Sequence, residues 1–172
     1  LFMIRKAQLD EIETLLTITK ACARKMMADG IYQWNEYYPS AKAFQTDCKR
    51  GELYALELDK RLIGCITISQ HKDTEYDDIK WLRNDENNYY VHRLAIHPSK
   101  QHKGYAMKLM DFAESHALKH GAVSIRLDTF SQNKRNQRFY EARGYTRLDK
   151  IYFPKQSHHP FFCYEKLLRL SD

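Results

Sequence analysis

Between Tyr89 and Met110 an apolar run (Val91, Leu94, Ala95, Ile96) meets Pro98, passes through Gln101, His102, Lys103, Gly104, Tyr105 and Ala106, and continues as an amphipathic helix. This segment constrains the fold most, because a strand that feeds a helix through a short glycine loop specifies a strand–loop–helix unit of an α/β protein. It also constrains the chemistry. The first N–H groups of a helix have no carbonyl partner, and the helix dipole adds about half a positive charge there. Such an end accepts an anion, a phosphate above all, if the backbone can come close. Gly104 carries no side chain to prevent that.

The flanking sequence sets the rest of the order. Ile12, Leu15, Leu16, Thr19, Ala23 and Met26 recur at helical spacing, with Gly30 as the stop and Asp10 with Glu13 as a capping pair. A second helix starts after Pro39 with Ser40 as its cap, turns Phe44 and Cys48 inward and ends at Gly51. Residues 53–58 and 62–69 read as strands joined by a tight turn at Asp59 and Lys60. Residues 71–88 are polar and acidic, and read as a long loop or irregular strand extension. Residues 89–96 form a strand, 106–120 a helix and 123–129 a strand. Residues 133–143 form a helix with Phe139 as its core contact, and 145–153 and 161–168 two final strands. Leu1 and Phe2 before Met3 are set aside as a start-site remnant. The expectation is one mixed α/β domain over residues 1–172, with about six or seven strands and helices on both faces of the sheet.

Composition narrows the classes. With 172 residues, 43% hydrophobic and 29% charged, the chain suits a folded domain. No apolar run reaches the roughly 20 residues a membrane span needs. Arg5 and Lys6 lead into a polar stretch, so no leader pattern is read. Cys22, Cys48, Cys65 and Cys163 are widely spaced, which points to reduced thiols, a cytoplasmic setting and no zinc site. The net charge of +6 suits an anionic partner, but the lysines and arginines are spread along the chain and no nucleic-acid-reading motif is present. A Gly-x(4)-Gly-Lys-(Ser or Thr) phosphate loop is absent. His116 and His120 share metal-compatible spacing without a third ligand, and read as helix-end surface.

Gln101 to Ala106 fit the (Arg or Gln)-x-x-Gly-x-(Gly or Ala) signature of the GNAT superfamily of acyl-CoA-dependent N-acyltransferases. Leu94, Ala95, Ile96, His97 and Pro98 resemble that family's strand end, and Asn133, Phe139, Tyr140, Gly144 and Tyr145 its downstream segment. The resemblance implies a mostly antiparallel, twisted sheet with a V-shaped splay between two central parallel strands, 89–96 and 123–129. It implies acetyl-CoA as co-substrate and no metal. The pantetheine arm would run along the backbone of Leu94, Ala95 and Ile96, with the pyrophosphate on N–H groups from His102, Lys103, Gly104, Tyr105, Ala106 and Met107, beside Gln101. Asn133 would contact the pantetheine, and Tyr140 would protonate the departing thiolate. The Ile96 N–H would stabilise the oxyanion.

On the strand, Tyr90, His92 and Leu94 share a face by two-residue alternation. Tyr90 occupies a position where some relatives carry a glutamate base, so the base is left open between His92 and water relayed through Tyr90. Tyr32, Trp34, Tyr37 and Tyr38 form an aromatic cluster where relatives build an acceptor wall. Asp73, Glu75, Asp77, Asp78, Asp85 and Glu86 flank Trp81 in an acidic segment suited to a cationic amine. The function expected is acetyl transfer to a primary amine in a ternary complex; a non-catalytic acyl-CoA-binding module is the alternative. The aromatic C-terminal strands leave a homodimer open.

Overall fold

The structure, a computed structural model, describes residues 1–84 and 87–168. Its elements run β1 (Phe2–Lys6), α1 (Ile12–Ala28), α2 (Ala41–Lys49), β2 (Leu53–Leu58), β3 (Arg61–Ser69), β4 (Asn88–Ile96), α3 (Tyr105–Lys119), β5 (Ser124–Phe130), α4 (Lys134–Ala142), β6 (Thr146–Ile151) and β7 (Phe161–Leu167). The seven strands form one sheet in the order β1-β2-β3-β4-β5-β7-β6. β1, β2 and β3 pair antiparallel, as do β5, β7 and β6, while β4 and β5 run parallel through Asn88↔Ser124, Tyr89↔Ile125 and Tyr90↔Arg126. This is the mixed α/β fold that the element order predicts, with the mostly antiparallel pairing that the family resemblance implies. By internal contacts the chain divides into two compact units, Leu1–Ile68 with His92–Ala113, and Ser69–Val91 with the chain from Glu114 onward.

In the first unit, α1 buries Ile12, Leu15, Ile18, Cys22 and Ala23, and Phe44 of α2, Trp34, Leu53, Ala55, Cys65 and Ala95 join the same cluster. Ser40 caps α2 as expected, its hydroxyl accepting from the Ala43 N–H at 3.1 Å. Asp59 and Lys60 both have positive φ (49° and 66°), the conformation of a two-residue turn whose twist matches the strands it joins. Phe2 opens strand β1 and pairs with Leu58. One expectation fails here, the cap of the first helix: a 3-10 turn, Leu9–Glu11, precedes α1, and Gln8 with Glu11 form the reciprocal pair in place of Asp10 with Glu13. Glu11 is selected because its carboxylate takes both the Gln8 N–H (2.9 Å) and the Arg5 guanidinium (2.9 and 2.7 Å). Hydrogen bonding from Arg5 holds that carboxyl below its usual range.

The second unit is built on β5, whose Ile125 and Leu127 are buried, flanked by buried Phe161 and Tyr164 of β7. The segment read as loop contains a short 3-10 turn, Thr74–Asp78, that drives Tyr76 into the interior. α4 buries Gln137 and Tyr140, three residues apart on one face, whereas Phe139 is only half buried. Gln137 tolerates burial because its amide donates to the carbonyls of Phe130 (3.2 Å) and Ser131 (2.9 Å).

Gly64 in β3 marks where β3 and β4 come closest. A Cβ there would lie 2.5 Å from the Ala95 carbonyl oxygen and 2.7 Å from Ile96 Cδ1. Gly64→Ala is therefore expected to destabilise the protein by about 1–3 kcal/mol, as overpacking does, read as a lower denaturant midpoint at unchanged slope.

Candidate functional site

The first unit contributes the end of β4 and the loop after it. Arg93 lies inside the strand with φ +51°. A left-handed residue interrupts the pleat, so the alternation expected to carry Tyr90, His92 and Leu94 on one face does not run unbroken through β4. The Arg93 side chain is anchored. Nε and Nη2 donate to the two oxygens of buried Asp47 (2.7 and 2.8 Å), and Nη1 donates to the Tyr38 hydroxyl at 3.1 Å. Thr67 adds a third bond to Asp47, at 2.8 Å.

Beyond Arg93 the strand edge is set. The His97 N–H donates to the Ile63 carbonyl of the β3 side (2.7 Å). Neighbouring peptide groups of an extended chain point to opposite edges, so the Ile96 N–H faces away from β3. The Ile96 carbonyl accepts from Cys22 Sγ (3.1 Å) and Gln101 Nε2 (3.0 Å), which ties the loop back to the strand. His102 (φ 64°) and Gly104 (φ 86°) then take left-handed backbone immediately before α3. Alternating left- and right-handed residues turn successive N–H groups into one concavity, an anion nest. The first helical bond of α3 runs from Lys108 N to Gly104 O, so the N–H groups of Tyr105, Ala106 and Met107 belong to the helix's free first turn. His102, Lys103, Gly104 and Met107 are exposed, and a Cβ at Gly104 would meet nothing within 4 Å. The residues present fit an anionic, phosphate-bearing ligand.

The acceptor candidates of this unit separate. Trp34 is buried in the core, while Tyr32 and Tyr37 are 61% and 78% exposed. Asn35 Oδ1 accepts from the N–H groups of Tyr37 and Tyr38 (2.8 and 2.9 Å), which fixes the turn.

In the second unit, Asn133 is buried and caps α4, its side chain accepting from Asn136 N at 3.1 Å. Tyr140 is 6% exposed, amid the rings of Phe139, Tyr145 and Tyr164. Burial, reinforced by Asp128 and opposed by Arg143, pushes its phenol well above the ordinary range, so it is protonated at neutral pH. Among the described residues none hydrogen-bonds the Tyr140 hydroxyl. Tyr90 is buried and its hydroxyl accepts from Arg126 Nη1 (3.1 Å), whereas His92, which belongs to the first unit, is half buried. Trp81 covers the Arg126 guanidinium at 4.5 Å and donates through Nε1 to the Tyr76 carbonyl at 3.2 Å. Of the acidic segment, Asp77 pairs with Lys72 at 2.7 Å, and Asp85 and Glu86 lie outside the described residues. His116 and His120 stack 4.2 Å apart, and no group of three potential metal ligands occurs among the described residues.

The model of the acetyltransferase (GNAT) family matches residues 13–145. The chain belongs to this family. Its GNAT fold is shared by a protein of known structure from Staphylococcus aureus Mu50, which is 28% identical and superimposes with a TM-score of 0.75 over 97% of this chain and 99% of the other. The PaiA N-acetyltransferase of Thermoplasma acidophilum, solved in complex with coenzyme A, is 21% identical, with a TM-score of 0.70 over 97% and 99%. An uncharacterized N-acetyltransferase from the pepI 3′ region of Lactobacillus delbrueckii subsp. lactis is 26% identical over 100 residues, covering 58% of this chain and 54% of that relative. The chain thus matches about half the length of this curated relative.

Sequence reasoning about this GNAT chain missed Asp47 and Arg93, because their partnership spans 46 residues. The available signal was Arg93 within the otherwise largely apolar strand Val91 to Ile96; Asp47 sits among polar residues that give no hint of its burial. Removing one partner of a buried pair strands the other charge, so Asp47→Asn is expected to cost about 3–5 kcal/mol, measured by denaturant unfolding.

Proposed function

We propose that the protein transfers acetyl from acetyl-CoA to a primary amine by direct attack in a ternary complex. The observation that carries this is the segment from Gln101 to Met107, exposed at His102, Lys103, Gly104 and Met107, with left-handed His102 and Gly104 opening into the free first turn of α3. Family membership and the coenzyme A held by the Thermoplasma relative support the same donor. In this reading the pyrophosphate lies on the N–H groups from His102 to Met107, and Lys103 adds charge from an exposed position. The backbone of Leu94 to Ile96 bonds the pantetheine as an added strand would, and Asn133 contacts the same arm.

Acetyl-CoA supplies an activated carbonyl with a thiolate leaving group. The Ile96 N–H, turned away from β3, stabilises the oxyanion that forms when the amine adds. Tyr140 gives its phenolic proton to the departing sulfur, and its raised pKa keeps that proton available. Exposed Tyr32 and Tyr37 offer aromatic faces to a cationic acceptor, while Trp34 anchors their connection in the core. Free cysteines at all four positions suit a reducing cytoplasm. Among the described residues no helix is long and apolar enough to cross a membrane.

Incubation of the protein with acetyl-CoA and a panel of amines, followed by free-thiol release, tests this reading. The expected result is release that depends on the amine. Donor binding without release for any amine would leave a non-catalytic acyl-CoA-binding module. Tyr140→Phe is expected to lower kcat by about a hundredfold, within the range that proton-transfer groups contribute, with acetyl-CoA affinity unchanged by calorimetry. Gly104→Val places a β-branched residue at positive φ in the cradle. It is expected to weaken acetyl-CoA binding by at least about tenfold, or 1.4 kcal/mol.

A further inference from the structure

We propose that Asp128 is the general base of this reaction, the carboxylate that position 90 does not supply. The inference rests on the acetyltransferase reading above. β5 is buried along its length except at Asp128, which is half buried and shares a face with Ser124 and Arg126 by two-residue alternation. Arg126 is in register with Tyr90 and donates to its hydroxyl, so this is also the face that Tyr90 presents. Tyr76 connects the two positions: its ring centroid lies 5.7 Å from that of Tyr90, and its hydroxyl donates to Asp128 Oδ2 at 2.5 Å. The positive charge nearest by sequence is already matched, because Arg126 Nε donates to the fully buried Glu165 at 2.9 Å.

Asp128 is the one residue of β5 partly open to solvent, and the Tyr76 hydroxyl supplies a hydrogen bond that favours its charged form. Asp128 acts on Tyr76 of the 3-10 segment, Tyr140 of α4 and Cys163 of β7, raising each, and shares its face of β5 with Arg126. Asp73 also acts on Tyr76 and Cys163, Asp149 of β6 on Cys163, and Arg143, just after α4, on Tyr140. Burial first, then Asp128, keeps Tyr76 protonated as a donor. Asp128 and Tyr140 belong to the same compact unit of the chain, and the Asp128 charge helps keep the Tyr140 phenol protonated.

The step balances as follows. The acceptor ammonium gives one proton to the Asp128 carboxylate, which passes it to water. The freed lone pair forms the C–N bond at the acetyl carbonyl. On collapse the C–S bond breaks and Tyr140 protonates the sulfur. The second nitrogen proton leaves through Asp128 and solvent to restore the phenol. An ammonium and acetyl-CoA thus yield an amide, CoA thiol and one proton in solution.

The test compares the parent with Asp128→Asn and Tyr76→Phe, using the amine that releases most thiol. Asp128→Asn is expected to hold acetyl-CoA as the parent does by calorimetry but to turn over about a hundredfold more slowly at neutral pH. Its rate is expected to climb tenfold per pH unit below the amine's pKa, as solution supplies the free base. Tyr76→Phe removes the bond that favours the charged carboxylate, so the acid limb of the pH–rate profile moves to higher pH. An Asp128→Asn protein as fast as the parent overturns the proposal. If that variant does not fold, an unmoved acid limb in Tyr76→Phe overturns it instead. A folded parent that binds acetyl-CoA and acetylates no amine overturns the enzymatic reading itself, and this inference with it.

Discussion

An arginine held in left-handed backbone within a strand is the constraint on which the candidate site depends. Left-handed backbone costs an ordinary residue roughly 1–2 kcal/mol, so Arg93 needs a compensating interaction. Asp47 supplies it through two short hydrogen bonds, with Tyr38 and Thr67 completing the set. The left-handed Arg93 lies immediately before Leu94, so the ion pair fixes the backbone from which the Ile96 peptide is aimed. Gly64 serves the same segment from β3 by admitting the Ala95 carbonyl where a methyl would collide. One device is electrostatic and the other steric, and both act on three consecutive residues.

Much of this was legible in the sequence where physics is local. Ser40 and Gly30 announced helix ends because capping involves residues within one turn. The glycine loop before α3 announced itself by the same logic, and its left-handed residues are where a nest requires them. Strand β1 was not legible, because five residues with two half-buried positions carry little periodicity. The left-handed turn at Arg93 was invisible since nothing in Val91 to Ile96 signals it; its partner lies 46 residues away in Asp47. Phe139 appeared the better core residue by hydropathy alone. The helix instead turned Tyr140 inward, with Gln137 paired to backbone carbonyls on the same face.

The second unit handles charge differently. Glu165 is fully buried and accepts from Arg126, Ser124 (2.6 Å) and the Leu82 N–H (2.6 Å), while Trp81 and Tyr90 cover the guanidinium. A buried network is stable only when its members are satisfied, and this one is densely satisfied. Trp81, which sequence position alone suggested for acceptor binding, is engaged in that cover. The acidic segment around it is accordingly read through the contacts of its described part rather than through its charge.

The four cysteines have a practical meaning. Burial is the main cause that raises each thiol above its ordinary range, Cys22 to about 12, and Cys48, Cys65 and Cys163 in the same direction. Thiols held protonated inside a packed interior react sluggishly with disulfides and electrophiles. In the folded state Cys22, Cys65 and Cys163 are therefore shielded from a thiol-reactive dye, whereas half-buried Cys48 is the sulfur most open to it. A slow signal from the three buried sulfurs becomes a clock for the chain's opening.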